Sequence, residues 1–268
     1  MVAVTTPVEI AAARPRRRTP GGWGRRIVLL LAGAYFLVPI YAAGAFAVSG
    51  PDGVDALTGI GGRAGFVEAF SLSLSLTLVT TVITLLLMVP TAIWVHLRLP
   101  RVMRLFESIT ILPIVIPPIV LIVGVLDAAP GTLKATPYLL ALEYAVLAMP
   151  FAYRSLDAGL RAIPLTTLVE ASRSLGAGWV ATITRVLLPN LRSALLSTTV
   201  LTVALVLGEY TMASLDQYQT FPVWVVVYQQ DDAHVSVAVS VLSLVATWAL
   251  LMLISLIDTR RLSRARNS

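Results

Sequence analysis

The sequence predicts an all-α integral membrane protein: six transmembrane helices, with a cytoplasmic two-helix insertion between the fourth and fifth. Three observations carry this. The 268 residues are 57% hydrophobic and only 13% charged, too apolar for a soluble domain of this size. Six apolar windows have or approach the ~20 residues that a spanning helix needs. Eighteen of the twenty basic residues fall in four segments that a six-span chain places on one side.

The windows are Ile27–Val48, Phe70–Val95, Ile109–Leu126, Tyr138–Tyr153, Ala194–Leu215 and Val235–Ile257. The fourth is the shortest and carries Glu143 and Pro150. Arginines cluster before the first span, between the second and third, between the fourth and fifth, and after the sixth. Only Arg63 and Lys134 lie elsewhere. Basic residues near span ends stay cytoplasmic, so both termini are expected inside, in a bacterial cell (plasma) membrane. The net charge of +6 is then a topology signal. Nucleic-acid binding would need a basic face on a soluble domain, and no such domain is expected.

The parts expected are a disordered basic cytoplasmic tail lying against anionic lipid (1–26), a transmembrane domain (27–257) holding the insertion (154–193), and a cytoplasmic C-terminal tail (258–268). Arg-rich residues 14–26 followed by an apolar run imitate a secretory signal, but Ile27–Val48 exceeds the 7–15 residues of a signal's apolar core. The alternating FSLSLSLTL of 70–78 imitates a strand; unbroken apolar sequence to Val89 favours a helix with a Ser/Thr packing face. Prolines 113, 117 and 118 are read as a packing kink in the third span, the alternative being a broken helix beside a pathway. External PVWVVVY, 222–228, is too short to span and is expected to be interfacial or partly buried.

The stretch LVEASRSLGAGWVATITRVLLPN, 168–190, is charged and glycine-punctuated. Thr167 and Glu170 have the spacing of a capping box, with Pro164 upstream. Gly176 and Gly178 supply a terminator with access to positive φ. A second helix, Trp179–Leu188, carries Trp179, Ile183 and Val186 on one stripe and is expected to stop before Pro189. A DNA-binding helix-turn-helix would need a third helix and a free basic face. Apolar side chains on a surface helix suggest instead a docking site for a cytoplasmic partner.

Glu170-Ala171-Ser172, Gly176, then Val186, Leu188 and Pro189 resemble the signature E-A-A-x₃-G-x₉-I-x-L-P of permease subunits of binding-protein-dependent ABC importers. Ser172 stands where that family usually has Ala, and Val186 where it has Ile. YRSLDAGLRAIP (153–164), SLSLT, the Pro-rich third span and LGEY (207–210) extend the likeness over about residues 66–257. They are similar to spermidine/putrescine-type permeases of the type I fold and to related iron(III), thiamine and sulfate permeases.

The resemblance implies that the insertion is a coupling helix in a groove of a separate ABC ATPase dimer. Glu170 and Ala171 would lie on the docking face, Gly176 would make the turn, and Leu188 with Pro189 would set the return to the membrane. Ser172 belongs to the same coupling set. The implied partners are that ATPase, a second permease subunit, an extracytoplasmic substrate-binding protein and membrane lipid.

No P-loop spacing surrounds Lys134, the chain's single lysine, so ATP and Mg are expected in the partner ATPase, with no cofactor, metal or catalytic residue in this chain. Cysteine is absent, and His96 and His234 fall on opposite sides of the predicted membrane. A membrane-embedded enzyme is the different-class alternative. Intramembrane acids face cavities or partners, so the pairs Glu143-Tyr144 and Glu209-Tyr210 are candidates for a translocation path. They would suit a cationic polyamine through charge and cation–π contact. The structural alternative is a buried Glu satisfied by neighbouring groups. Iron(III), thiamine, an organophosphonate or an oxyanion are the other cargoes considered.

Overall fold

The computed structural model describes residues 22–53 and 55–266. Every described element is helical: α1 (Gly22–Val48), α2 (Phe66–Arg98), α3 (Met103–Val115), α4 (Pro118–Ala128), α5 (Tyr138–Arg161), α6 (Leu165–Ser174), α7 (Trp179–Asn190), α8 (Arg192–Gly208), α9 (Thr211–Leu215), α10 (Phe221–Tyr228) and α11 (Ala233–Arg266), with short helical turns between some of them. The chain divides after Ala43 into two compact units. The expected basic tail lies outside the described residues up to 21, and α1 already begins at Gly22.

Among the described residues, three helices are long and apolar enough to cross a membrane: Trp23–Val48, Phe66–Arg98 and Tyr138–Arg161. Two bent pairs, α3 with α4 and α7 with α8, bring the count to five if each is one span. The sixth predicted window falls in α11, where Ala233–Ala249 forms a shorter apolar helix. Its backbone continues as helix through 258–266, the segment expected as a tail.

Within the second unit, α2, α5 and α8 make the most extensive mutual packing. The alternating Ser/Leu run is helix, as its apolar continuation predicts: Ser73, Thr77, Thr80 and Thr84 recur at helical spacing and are all buried. Small hydroxyl residues let helix backbones approach closely in lipid, where apolar burial gives little drive for association. Thr80 Oγ1 donates to the Ala141 carbonyl of α5 at 3.1 Å. At the other end of α5, a Cβ placed on Gly159 would lie 2.4 Å from the Ala194 Cβ of α8. Glycine is required there by closeness, not by backbone conformation.

The third window is broken, not kinked. The α3 and α4 axes meet at 100°. A residue preceding proline is pushed out of the helical region, and Pro117-Pro118 imposes that twice: Ile116 and Pro117 are both extended, with ψ of 125° and 136°. Pro113, alone, stays within α3. The doublet thus ends one helix and starts the next.

Residues 221–228 fold inward as α10. Val223 and Trp224 are buried, Trp224 Nε1 donates to the Ala64 carbonyl at 2.9 Å, and Tyr228 stacks on Trp224. The Phe221 amide donates to Ser73 Oγ at 2.7 Å, pinning α10 to α2.

The Gly159–Ala194 approach gives a direct test. Gly159→Ala should destabilise the purified chain by about 1–3 kcal/mol through overpacking. Adding Ala194→Gly returns the space and should recover most of the lost Tm in thermal unfolding.

Candidate functional site

The insertion is built by α6, a tight turn and α7. Helix α6 starts at Leu165, directly behind Pro164, with the Leu168 amide bonded to the Pro164 carbonyl at 3.0 Å. The predicted Thr167–Glu170 capping box does not form: both side chains are exposed inside the helix, and no side chain caps its start. Burial of Leu165 and Val169 against the bundle, together with the proline, sets the start three residues earlier.

The turn is a Schellman motif. The Gly176 amide donates to the Arg173 carbonyl at 3.0 Å and the Ala177 amide to the Ser172 carbonyl at 3.2 Å, satisfying two carbonyls that the helix end leaves free. Gly176 holds φ +83°, the left-handed conformation that costs an L-residue roughly 1–2 kcal/mol. Arg173 lies over the Trp179 ring at 5.4 Å and donates to the Ala177 carbonyl, bracing the turn.

Helix α7 does not stop before Pro189. Residues Thr182–Leu187 widen into a π-helix and the helix passes through the proline to Asn190. A proline inside an α-helix clashes with the carbonyl four residues back; the wider turn relieves that clash. Asn190 Nδ2 donates to the Val186 carbonyl at 2.7 Å, occupying one group of the widened turn. The chain then bends by 79° at Leu191 into α8.

Glu170, Ala171 and Gly176 are exposed, Leu188 is half-buried and Pro189 is exposed. Ser172 points inward, where its hydroxyl meets Thr182 Oγ1 at 3.0 Å. The residue that departs from the E-A-A pattern therefore ties the two helices together. At the outer tip Leu175 is 88% exposed and Val180 76%, two apolar side chains with no cover among the described residues.

A polar clamp at the base of the insertion was not legible in the sequence. His96 Nε2 lies 2.9 Å from Asp157 Oδ1 and Nδ1 lies 2.8 Å from the Ala92 carbonyl. Arg161 Nε reaches both Asp157 oxygens at 2.9 Å. These contacts join the end of α2 to α5 just before the insertion. The sequence placed His96 only on one side of the predicted membrane, since its partner stands 61 positions away.

The four acid and tyrosine candidates separate. Glu209 ends α8, and its carboxylate accepts the Met212 amide at 2.9 and 3.1 Å and the Ala213 amide at 3.4 Å, closing the start of α9. Tyr210 is exposed. Glu143 and Tyr144 are buried inside α5. The carboxylate oxygens of Asp216, not singled out in the sequence, are also buried, and this burial raises its carboxyl above the ordinary carboxylate range, with the Glu209 charge adding to the rise. Among the described residues no group of His, Cys, Asp or Glu is placed to hold a metal ion.

Together these features define an all-helical membrane protein carrying an ordered helical insertion with an exposed apolar tip. No family model matches the chain. It is similar to the "Probable transport system permease protein NifC" of Clostridium pasteurianum, 22% identical over 210 residues that cover 71% of this chain and 73% of that protein.

Three substitutions test the structural roles. Ser172→Ala should cost about 0.5–1.5 kcal/mol, the worth of one hydrogen bond, and leave the insertion folded by circular dichroism. Glu209→Gln retains an acceptor oxygen and should stay near wild type in Tm. Glu209→Ala loses the cap and should fall by about 0.5–2 kcal/mol.

Proposed function

We propose that the chain is the membrane-spanning permease subunit of an ATP-driven ABC importer. It forms the translocation pathway and takes its driving force from a separate ATPase. The observation that carries the reading is the insertion: two helices locked by a Schellman turn and a buried hydroxyl pair, with Leu175 and Val180 exposed at the tip beside Glu170 and Ala171. A compact apolar tip rimmed by charge suits docking into a groove of another protein. The likeness to a probable transport-system permease supports the same class.

In this reading the orientation follows the arginine distribution, with both termini and the insertion cytoplasmic. The ATPase dimer binds ATP and Mg, a second permease subunit completes the pathway, and an extracytoplasmic binding protein delivers the cargo. Closure of the ATPase dimer pulls on the insertion, and α5 and α8, which share a buried cluster with it, carry the displacement into the membrane. The cargo is a polyamine such as spermidine or putrescine, because the buried oxygens of the opposite end of the bundle are acidic.

The test is ATP-dependent uptake in vesicles holding the complete transporter. Glu170→Ala and Gly176→Pro should reduce uptake to background while membrane insertion is unchanged. ATPase activity should no longer respond to the binding protein. Normal uptake with either substitution would rule out the coupling role.

A further inference from the structure

Beside the insertion, the facing ends of α5 and α8 leave an open groove of about 570 Å³, within the roughly 300–1,000 Å³ of pockets that hold small molecules. Helix α5 runs toward the insertion and α8 away from it, so the groove has two distinct ends. Arg154, Ser155 and Ser197 line the end nearer the middle of the bundle, and Ala162, Ile163 and Asn190 the end at the insertion. Gly159 and Ala194, which meet where the two helices touch, lie between.

The lining is rich in donors. No acidic or aromatic side chain belongs to it. Arg154 is exposed, and the ion pairs among the described residues engage Arg63, His96 and Arg161 instead. Asp157, the carboxylate nearest to Arg154 in sequence, is already held by His96 and Arg161. Helix serines elsewhere, Ser71, Ser75 and Ser108, donate back to a carbonyl three or four residues earlier. Ser155, Ser193 and Ser197 make no such bond, so their hydroxyls are open to a ligand.

A guanidinium without a carboxylate, flanked by open hydroxyls, is complementary to an anion with several acceptor oxygens, and phosphate matches its fork bidentately. Position selects the source of that phosphate. Arg154 directly follows the apolar window that ends at Tyr153, and Ser197 lies one turn inside the window that starts at Ala194. That end of the groove is therefore at the membrane boundary, the level of lipid phosphodiesters, and basic pockets between spanning helices on that boundary bind anionic lipid head groups. A lipid phosphate placed there sends its acyl chains into the bilayer and its head group along the groove toward the insertion. A choline head group would bring a quaternary ammonium to a groove with no acid and no aromatic face to receive it. A polyol head group meets the Ser193 hydroxyl and Asn190, whose Nδ2 is spent on the Val186 carbonyl and whose Oδ1 is left to accept.

We propose that the groove between α5 and α8 binds an anionic phospholipid, with its phosphodiester on Arg154, Ser155 and Ser197 and its head group running past Ala158 and Ala162 toward Ser193 and Asn190. The site stands independently of the permease reading.

The test is native mass spectrometry of the full chain released from neutral detergent after titration with dioleoylphosphatidylglycerol or dioleoylphosphatidylcholine. One phosphatidylglycerol per chain should be retained, at a concentration about tenfold or more below that needed for phosphatidylcholine, the worth of a charge-assisted hydrogen bond. Arg154→Gln should erase this preference. Arg185→Gln, which removes an exposed arginine of α7 outside the groove, should keep it. Ala162→Trp fills the insertion end and should weaken retention by a similar factor.

Equal loss in the Arg154 and Arg185 variants means diffuse attraction to a basic surface and overturns the site, as does equal retention of the two lipids. Inorganic phosphate should not displace the lipid. Displacement by phosphate at the lipid's own concentration assigns the groove to a free anion and overturns the lipid. A dimer that Ala162→Trp splits while lipid retention is unchanged makes the groove a contact between copies and overturns it likewise. If Ala162→Trp does not fold, the comparison of Arg154→Gln with Arg185→Gln, both at exposed positions, decides alone.

Discussion

One buried cluster fastens the insertion to the membrane bundle. Leu165 and Val169 of α6, Leu187 of α7 and Leu191 at the bend pack with Ile93 of α2 and with Tyr153, Leu156 and Leu160 of α5. Full burial of such a side chain outside the bilayer is worth about 1.5–3 kcal/mol. The hydroxyl pair of Ser172 and Thr182 contributes about 1 kcal/mol, so packing, not polar contact, dominates the attachment. Protein interiors are close-packed and have low compressibility, so the cluster holds the insertion firmly against α5 and α8. The clamp of His96, Asp157 and Arg161 lies at the same level and closes the polar edge of the joint.

Proline has opposite effects at two points along this chain. At 117–118 two prolines in a row force two extended residues, and the helix ends. At 189 a single proline enters a helix already widened over Thr182–Leu187, and the helix continues. The difference is local: the doublet restricts the residue before each proline, while the single one needs only relief from the carbonyl behind it. The sharp change of direction near Pro189 falls two residues later, at Leu191, where the chain re-enters the bundle.

The helical class, the apolar windows, the hydroxyl face of α2 and the glycine turn of the insertion were legible because each depends on residues close in sequence. Gly176 adopts the left-handed conformation that its place after a ten-residue helix calls for. Helix limits were less legible. Thr167 and Glu170 carry the spacing of a cap, but burial of Leu165 and Val169 sets the start of α6 instead, so tertiary packing overrides a local signal worth about 1 kcal/mol. Contacts between distant residues left no trace in spacing: His96 with Asp157, and Ser73 with the Phe221 amide. Nothing in a single sequence pairs such positions.

The two acid–tyrosine pairs show how one sequence pattern acquires two physical meanings. Glu143-Tyr144 and Glu209-Tyr210 read alike, an acid followed by an aromatic within an apolar window. Glu209, however, falls where α8 ends and α9 begins, and a helix start leaves its first amides without intrahelical partners. Those of Met212 and Ala213 meet its carboxylate. Glu143 lies inside α5, where every nearby amide is already committed to the helix, and its oxygens stay unmet. An acid at a helix start is satisfied by the fold itself, whereas one in a helix interior has to be satisfied from outside the helix. The backbone, not the residue type, therefore decides that the Glu209 carboxylate finds its partners at a helix start and that the Glu143 oxygens find none among the described residues.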